Sequence, residues 1–243
     1  MQYAGRDKAY SLQGVESANK QALSHLEGVL SRLGIQKGGW FSAVTDEYTA
    51  SLGDIAAYIQ SADGMWFSGT HLHSWLIRVA TISNMSHGGF FYRASDDLLD
   101  LYIVDMIEGV GGRKVSLVDE VKKYPGKYYW APVQDFWIEK GLFSREACME
   151  SALDLVGKKY GKLAICYEAL FHVPVLRELA YWTNFSRLTE NWKDAAPYCS
   201  MAQKLCAIVG GVDPVPGRAA QLCVPQDTYQ SLLWSPIKVA LYP

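Results

Sequence analysis

The sequence predicts an α+β protein. Two observations carry this: helical periodicity gathers toward the two ends of the chain, and a run of strand-like segments fills the middle. At the N-terminal end, Val15, Ala18, Ala22, Leu26, Val29, Leu30 and Leu33 recur at helical spacing and Gly34 supplies a stop, which predicts a helix over 15–33. Residues 52–59 read as a turn entering a strand, and 70–81 as a helix capped by Ser68 or Thr70. Strands are expected over 87–93 and 99–107, joined by the turn Ser95-Asp96-Asp97, and again over 113–117 and 127–133. Their order suggests an antiparallel meander. Helical patterns return after Asp135: 144–156 with a Ser144-led cap, 164–182 interrupted by Pro174, and 198–209 between Pro197 and Gly210-Gly211. A short helix over 225–232 and a last strand over 237–242 complete the reading.

With 243 residues the chain can bury a full core. Residues 1–50 read as an N-terminal helical extension, and 51–243 as the main domain with a helical, aromatic insertion around 162–196. A hydrophobic content of 49% and a charged content of 20% are those of a soluble globular protein. A net charge of -2 gives no electrostatic case for nucleic acid, which is bound through clustered Lys and Arg. The short basic stretches, Arg113-Lys114 and Lys158-Lys159 with Lys162, read as solvated faces. No signal peptide and no membrane-spanning run of about 18 apolar residues is visible, so the expectation is a soluble protein made in the cytoplasm. A route out without a signal, for example inside a virion, stays open.

The five cysteines are Cys148, Cys166, Cys199, Cys206 and Cys223. An odd number without a secretion signal argues against a disulfide framework, and the absence of C-x-x-C argues against structural zinc. His71 and His73 would point to different faces of a helix, which makes a shared metal improbable. No cofactor motif is present: residues 157–162 have the wrong glycine spacing for a phosphate loop, and no G-x-S-x-G or H-E-x-x-H occurs.

Cys199 differs from the other cysteines by position. It opens a predicted helix, where unpaired N–H groups and the helix dipole stabilise a thiolate, the nucleophilic form. His87 opens a strand and is followed by Gly88-Gly89, which leave room beside the imidazole; histidine is the natural base for a thiol near neutrality. Asp105 sits inside an apolar strand, where a carboxylate needs a partner, and orienting an imidazole would supply one. Glu108, near the strand end, is the competing acid.

In the order in which they occur, these residues resemble a known family. Gly53-Asp54-Ile55, Ser86-His87-Gly88-Gly89, Ile103-Val104-Asp105-Met106, the segment through Tyr160-Gly161, Tyr198-Cys199-Ser200, and Cys223-Val224-Pro225 through Pro236 are similar to the motif order of YiiX/YebB-like (YaeF-like) proteins. These are permuted NlpC/P60 papain-like enzymes, relatives of the lecithin–retinol acyltransferase-like proteins. The resemblance spans about residues 50–240. Two departures are Gly88, where a small apolar residue is usual, and Asp105, where Glu is usual. The resemblance implies a circularly permuted papain-like fold, with an antiparallel sheet packed against helices. It also implies a Cys199–His87–acid triad with no metal, and an oxyanion site at the N–H of Cys199, with Tyr160 and Ser200 nearby. Implied substrates are amide or ester bonds in peptides, cell-wall peptides or lipids, cleaved through a thioacyl intermediate. The alternative is a non-catalytic binding or structural module of a larger assembly that keeps the fold.

Overall fold

The computed structural model describes residues 2–5, 8–11, 27–28, 30–32, 47–70, 74–75, 78, 83–98, 100–161 and 197–243. Strands β1 (Gln2–Gly5) and β2 (Lys8–Ser11) pair antiparallel with each other. The remaining strands are β3 (Glu47–Ser51), β4 (Gly64–Phe67), β5 (His87–Arg93), β6 (Leu101–Ile107), β7 (Gly111–Ser116), β8 (Tyr128–Ala131) and β9 (Lys238–Tyr242). They form one sheet in the order β3-β9-β8-β4-β5-β6-β7. Its neighbours are antiparallel except β3 and β9, which run parallel. The helices whose bounds fall among the described residues are α1 (Leu52–Ile55), α2 (Leu117–Lys123), α3 (Asp135–Glu139), α4 (Arg145–Leu153), α5 (Cys199–Gly210) and α6 (Pro225–Tyr229). The class is mixed α+β, as the segregated periodicities predict.

Two apolar layers sandwich the sheet. One joins Trp66, Phe90 and Val104 to Cys148, Ala152, Cys206 and Ala207 of α4 and α5. The other joins Met65, Phe91 and Ile103 to Ile55 of α1 and to Leu117 and Val121 of α2. Alternation of successive strand residues between the two faces produces this division.

Several expectations are corrected. Residues 52–58 are helical, α1 followed by a 3-10 turn over Ala56–Tyr58, and the extended Ile59 belongs to no strand. Leu52, Ile55, Ala56 and Ile59 are buried at helical spacing, and the Ser51 hydroxyl accepts from the N–H of Asp54 as an N-cap. The meander is broken after β7. Helix α2, started by Ser116 capping Asp119, carries the chain back, and β8 pairs with β4 instead of β7. Strand β4 lacks a sequence signal because Gly64, Met65 and Trp66 are all buried and show no alternation. The boundary expected at residue 50 runs through β3, which is a member of the main sheet. The expected N-terminal extension contains the β1–β2 pair, and of the helix expected over 15–33 the described residues 27–28 and 30–32 are helical. The helix expected over 164–182 and the insertion at 162–196 lie outside the described residues, as does most of 70–81. Among the described residues, no helix is long and apolar enough to cross a membrane.

The α4 and α5 readings hold at their starts, though α4 ends at Leu153, short of the expected 156. Ser144 caps α4 by accepting from the N–H of Ala147, and α5 runs from Cys199 to a left-handed Gly211.

Candidate active site

The site forms where the N-terminus of α5 meets the start of β5. Pro197 and the extended Tyr198 precede α5. The Tyr198 hydroxyl donates to the carbonyls of Gln221 (2.8 Å) and Cys223 (3.2 Å). The Ser200 hydroxyl donates to the same Cys223 carbonyl at 2.6 Å. These bonds tie the first turn of α5 to residues 221–223 and fix where the Cys199 sulfur lies. Ser200 therefore contributes its hydroxyl to the scaffold, while its N–H favours the Cys199 thiolate. Tyr160 packs against the cluster of Tyr198, Cys199 and Met201.

Strand pairing assembles the acid. Gly89, Asp105 and Arg113 lie in one row across β5, β6 and β7, and His87, two residues along from Gly89, reaches Asp105 diagonally. A Cβ on Gly89 would stand 2.8 Å from the Asp105 Cβ and 2.7 Å from the Val104 carbonyl, so only glycine leaves room for the carboxylate. The His87 Nε2 is 2.8 Å from Asp105 Oδ2. The imidazole also lies close enough to Cys199 for their charges to couple, and with Nε2 committed to the carboxylate, Nδ1 is the nitrogen left to face the sulfur. Arg113 grips Asp105 from the other side, Nε to Oδ1 at 2.8 Å and one terminal nitrogen to Oδ2 at 3.1 Å. That guanidinium reaches on to Glu120 of α2, which accepts from the Tyr128 hydroxyl. The Asp105 side chain is 0% exposed and that of His87 12%.

The electrostatics follow from this packing. Burial by itself would push the Cys199 thiol up, but the His87 imidazolium and the N–H groups of Gly88 and Ser200 outweigh it and hold the thiol below its ordinary value. Burial likewise disfavours charge on His87, yet the Cys199 thiolate and Asp105 raise its pKa to about 10. Asp105, despite its burial, is kept low by His87 and Arg113. Cys148 and Cys206 go the other way, pushed up by burial. The site is thus suited to hold a thiolate–imidazolium pair at neutral pH, which is the resting state of a cysteine nucleophile with a histidine base.

Each expected site residue has a definite place. Cys199, His87 and Asp105 come together. Glu108 is exposed in the turn after β6, and the carboxylate that the imidazole engages is Asp105. Arg113, read from sequence as part of a solvated face, turns inward with its side chain 18% exposed, because strand alternation points it and Lys114 in opposite directions. Gly109 centres the β6–β7 turn and so places residue 105 opposite residue 113; that register was the available signal for Arg113. Glu120 and Tyr128 had no such signal. Among the described residues, no three His, Cys, Asp or Glu side chains gather as metal ligands would.

Fold and site together define an α+β protein carrying a buried Cys–His–Asp constellation. No family model matches the chain. No curated protein matches it either. Among solved structures, the chain is similar to the crystal structure of the metalloprotein yiiX from Escherichia coli O157:H7, with 16% identity and a TM-score of 0.48, over 76% of this chain and 99% of that one.

Proposed function

We propose that this protein is a cysteine hydrolase or acyltransferase of the circularly permuted papain-like (NlpC/P60) kind, similar to the YiiX/YebB-like group, acting on an amide or ester bond. The observation that carries this reading is the Cys199–His87–Asp105 line, with a depressed thiol at a helix N-terminus and the far side of the imidazole locked on a buried carboxylate. The permuted order has its own support: the histidine strand precedes the cysteine helix, and the first and last strands of the main sheet, β3 and β9, lie side by side. Adjacent ends are what a permutation of chain order requires.

In this mechanism His87 holds the thiol proton and the Cys199 thiolate attacks the carbonyl carbon. The N–H groups at the start of α5 stabilise the oxyanion, with Tyr160 at the rim. His87 then gives its proton to the departing amine or alcohol, leaving a thioester on Cys199. Water, or an amine in the acyl-transfer case, attacks that thioester, gives up a proton to His87 and releases the acyl group. Asp105 keeps the ring oriented and its charged form stable throughout.

The test is competitive alkylation with iodoacetamide at pH 6–7. Cys199 is expected to label far faster than Cys148, Cys166, Cys206 and Cys223, and His87→Ala to slow it by about a hundredfold or more. Equal, slow labelling of all five cysteines would instead favour a binding or structural module.

A further inference from the structure

One turn beyond the nucleophile, Gln203 is 0% exposed and its side chain crosses from α5 to β5. Its Nε2 donates to the Gly89 carbonyl at 2.7 Å. Its Oε1 lies over Gly88: a Cβ at that position would stand 2.6 Å from Oε1 and 3.4 Å from the amide carbon. Gly88 does not have a positive φ, so its backbone suits any residue, and the requirement for glycine is one of space. The two strand residues that Gln203 engages are those that matter to the site. Gly88 lines the same cavity as Cys199, where its N–H favours the thiolate, and Gly89 lies opposite Asp105 beside the start of the strand that presents His87.

We infer that Gln203 is a positioning residue, a bolt between the nucleophile helix and the base strand that sets the approach of the Gly88 N–H and the His87 ring to Cys199, and that Gly88 is the socket it needs. The inference rests on the proposed function, since what Gln203 positions is the nucleophile and its base. The Gln203 amide donates to the Gly89 carbonyl and not to either reacting group. Without its amide bond, α5 and β5 would still meet through their apolar contacts, but the spacing between the sulfur and its two partners would no longer be fixed. A displacement of about 1 Å is enough to lose alignment in such a pair.

The test measures the pH dependence of Cys199 alkylation in the full-length chain. Gln203→Met keeps the length and apolar body of the side chain and removes the N–H donor. The expected result is a folded protein whose Cys199 rate at pH 7 falls between about tenfold and a hundredfold, with the acid limb of the profile moved to higher pH as the thiolate loses alignment with its donors. A Gln203→Met protein with the wild-type rate and profile would overturn the positioning role, since mere space-filling by the side chain would then suffice. A second pair of variants covers the case in which Gln203→Met does not fold. Gly88→Ala is expected to destabilise the protein by clashing with Gln203. Adding Gln203→Ala is expected to restore thermal stability toward that of Gln203→Ala alone, without restoring the Cys199 rate. Simple additivity of the two changes in stability, or recovery of the rate in the double variant, would also overturn it. A wild-type protein whose cysteines all label alike would sink the hydrolase reading itself, whereas a fast Cys199 indifferent to Gln203 sinks this inference alone.

Discussion

Asp63 and Asp105 are the same residue in the same kind of place, and they do different things. Both side chains are 0% exposed and each meets an arginine, Arg145 at 2.7 Å for Asp63 and Arg113 at 2.8 Å for Asp105. Asp63 spends its remaining acceptor capacity on fixed donors: the Trp130 indole N–H (2.8 Å) and the backbone N–H groups of Gln60 (2.9 Å) and Val133 (3.0 Å). It is a knot that ties β4, β8 and α4 together. Asp105 spends its capacity on a group that titrates, and that group faces a thiol. A buried carboxylate is therefore not by itself a sign of chemistry; what its second oxygen faces decides. Both satisfy the requirement that a buried charge be paired and hydrogen-bonded.

The largest effect that separates the two is on stability. Asp63→Asn places an amide NH2 against donors only, and should cost about 3–5 kcal/mol in urea unfolding, the range for breaking a buried pair. The Cys199 alkylation profile of the protein that remains folded should not move. If it does, the knot and the site are coupled and the contrast fails.

Asp105→Asn is the opposite case and should act on the pH profile. Removing the negative charge beside the imidazolium lowers the His87 pKa from its raised value of about 10, so the alkaline limb should fall by about one to two pH units. The same variant tests the acid side. Because the folded pKa of Asp105 is depressed, its stabilisation is present above the ordinary carboxyl value and is lost as pH falls through the lower folded value. Below about pH 4, wild-type stability should therefore drop more steeply than that of Asp105→Asn, by the uptake of about one proton. Equal slopes would mean that Asp105 is not held as a carboxylate.

The smallest effect is expected at the arginine. Arg113→Lys keeps the charge and loses the two-pronged grip, and should cost about 1–2 kcal/mol by thermal or urea unfolding. It should shift the alkaline limb less than Asp105→Asn does. A larger shift than that of Asp105→Asn would mean that Arg113, and not the carboxylate, governs the ring.

Much of this was legible beforehand because local rules apply where the site is built. The start of α5 is readable from Pro197 and its end from Gly210-Gly211, and the strand bearing His87 from its aromatic run after two glycines. Asp105 stood out as a charge in an apolar strand. The failures share a cause. Residues 52–59 look like a strand entry because the buried positions Leu52, Ile55, Ala56 and Ile59 span barely two turns, too short for periodicity to distinguish helix from strand. Strand β4 carries no alternation in the sequence because burial on both faces erases it. Gln203 and Arg113 were passed over since a polar residue on a helix or strand looks solvent-facing until its neighbours are known.

What the sequence determined alone was local: which segments turn, cap and extend, and that one cysteine begins a helix while one histidine begins a strand. The tertiary structure decided which long-range pairs formed. It returned β8 to β4, set residue 105 opposite residue 113, and brought the start of α5 to the start of β5 across more than a hundred residues of chain. The physical reason is that helix caps and turns are settled by neighbours in sequence, whereas the ionisation of a thiol, an imidazole and a carboxylate is settled by burial and by the charges packed against them.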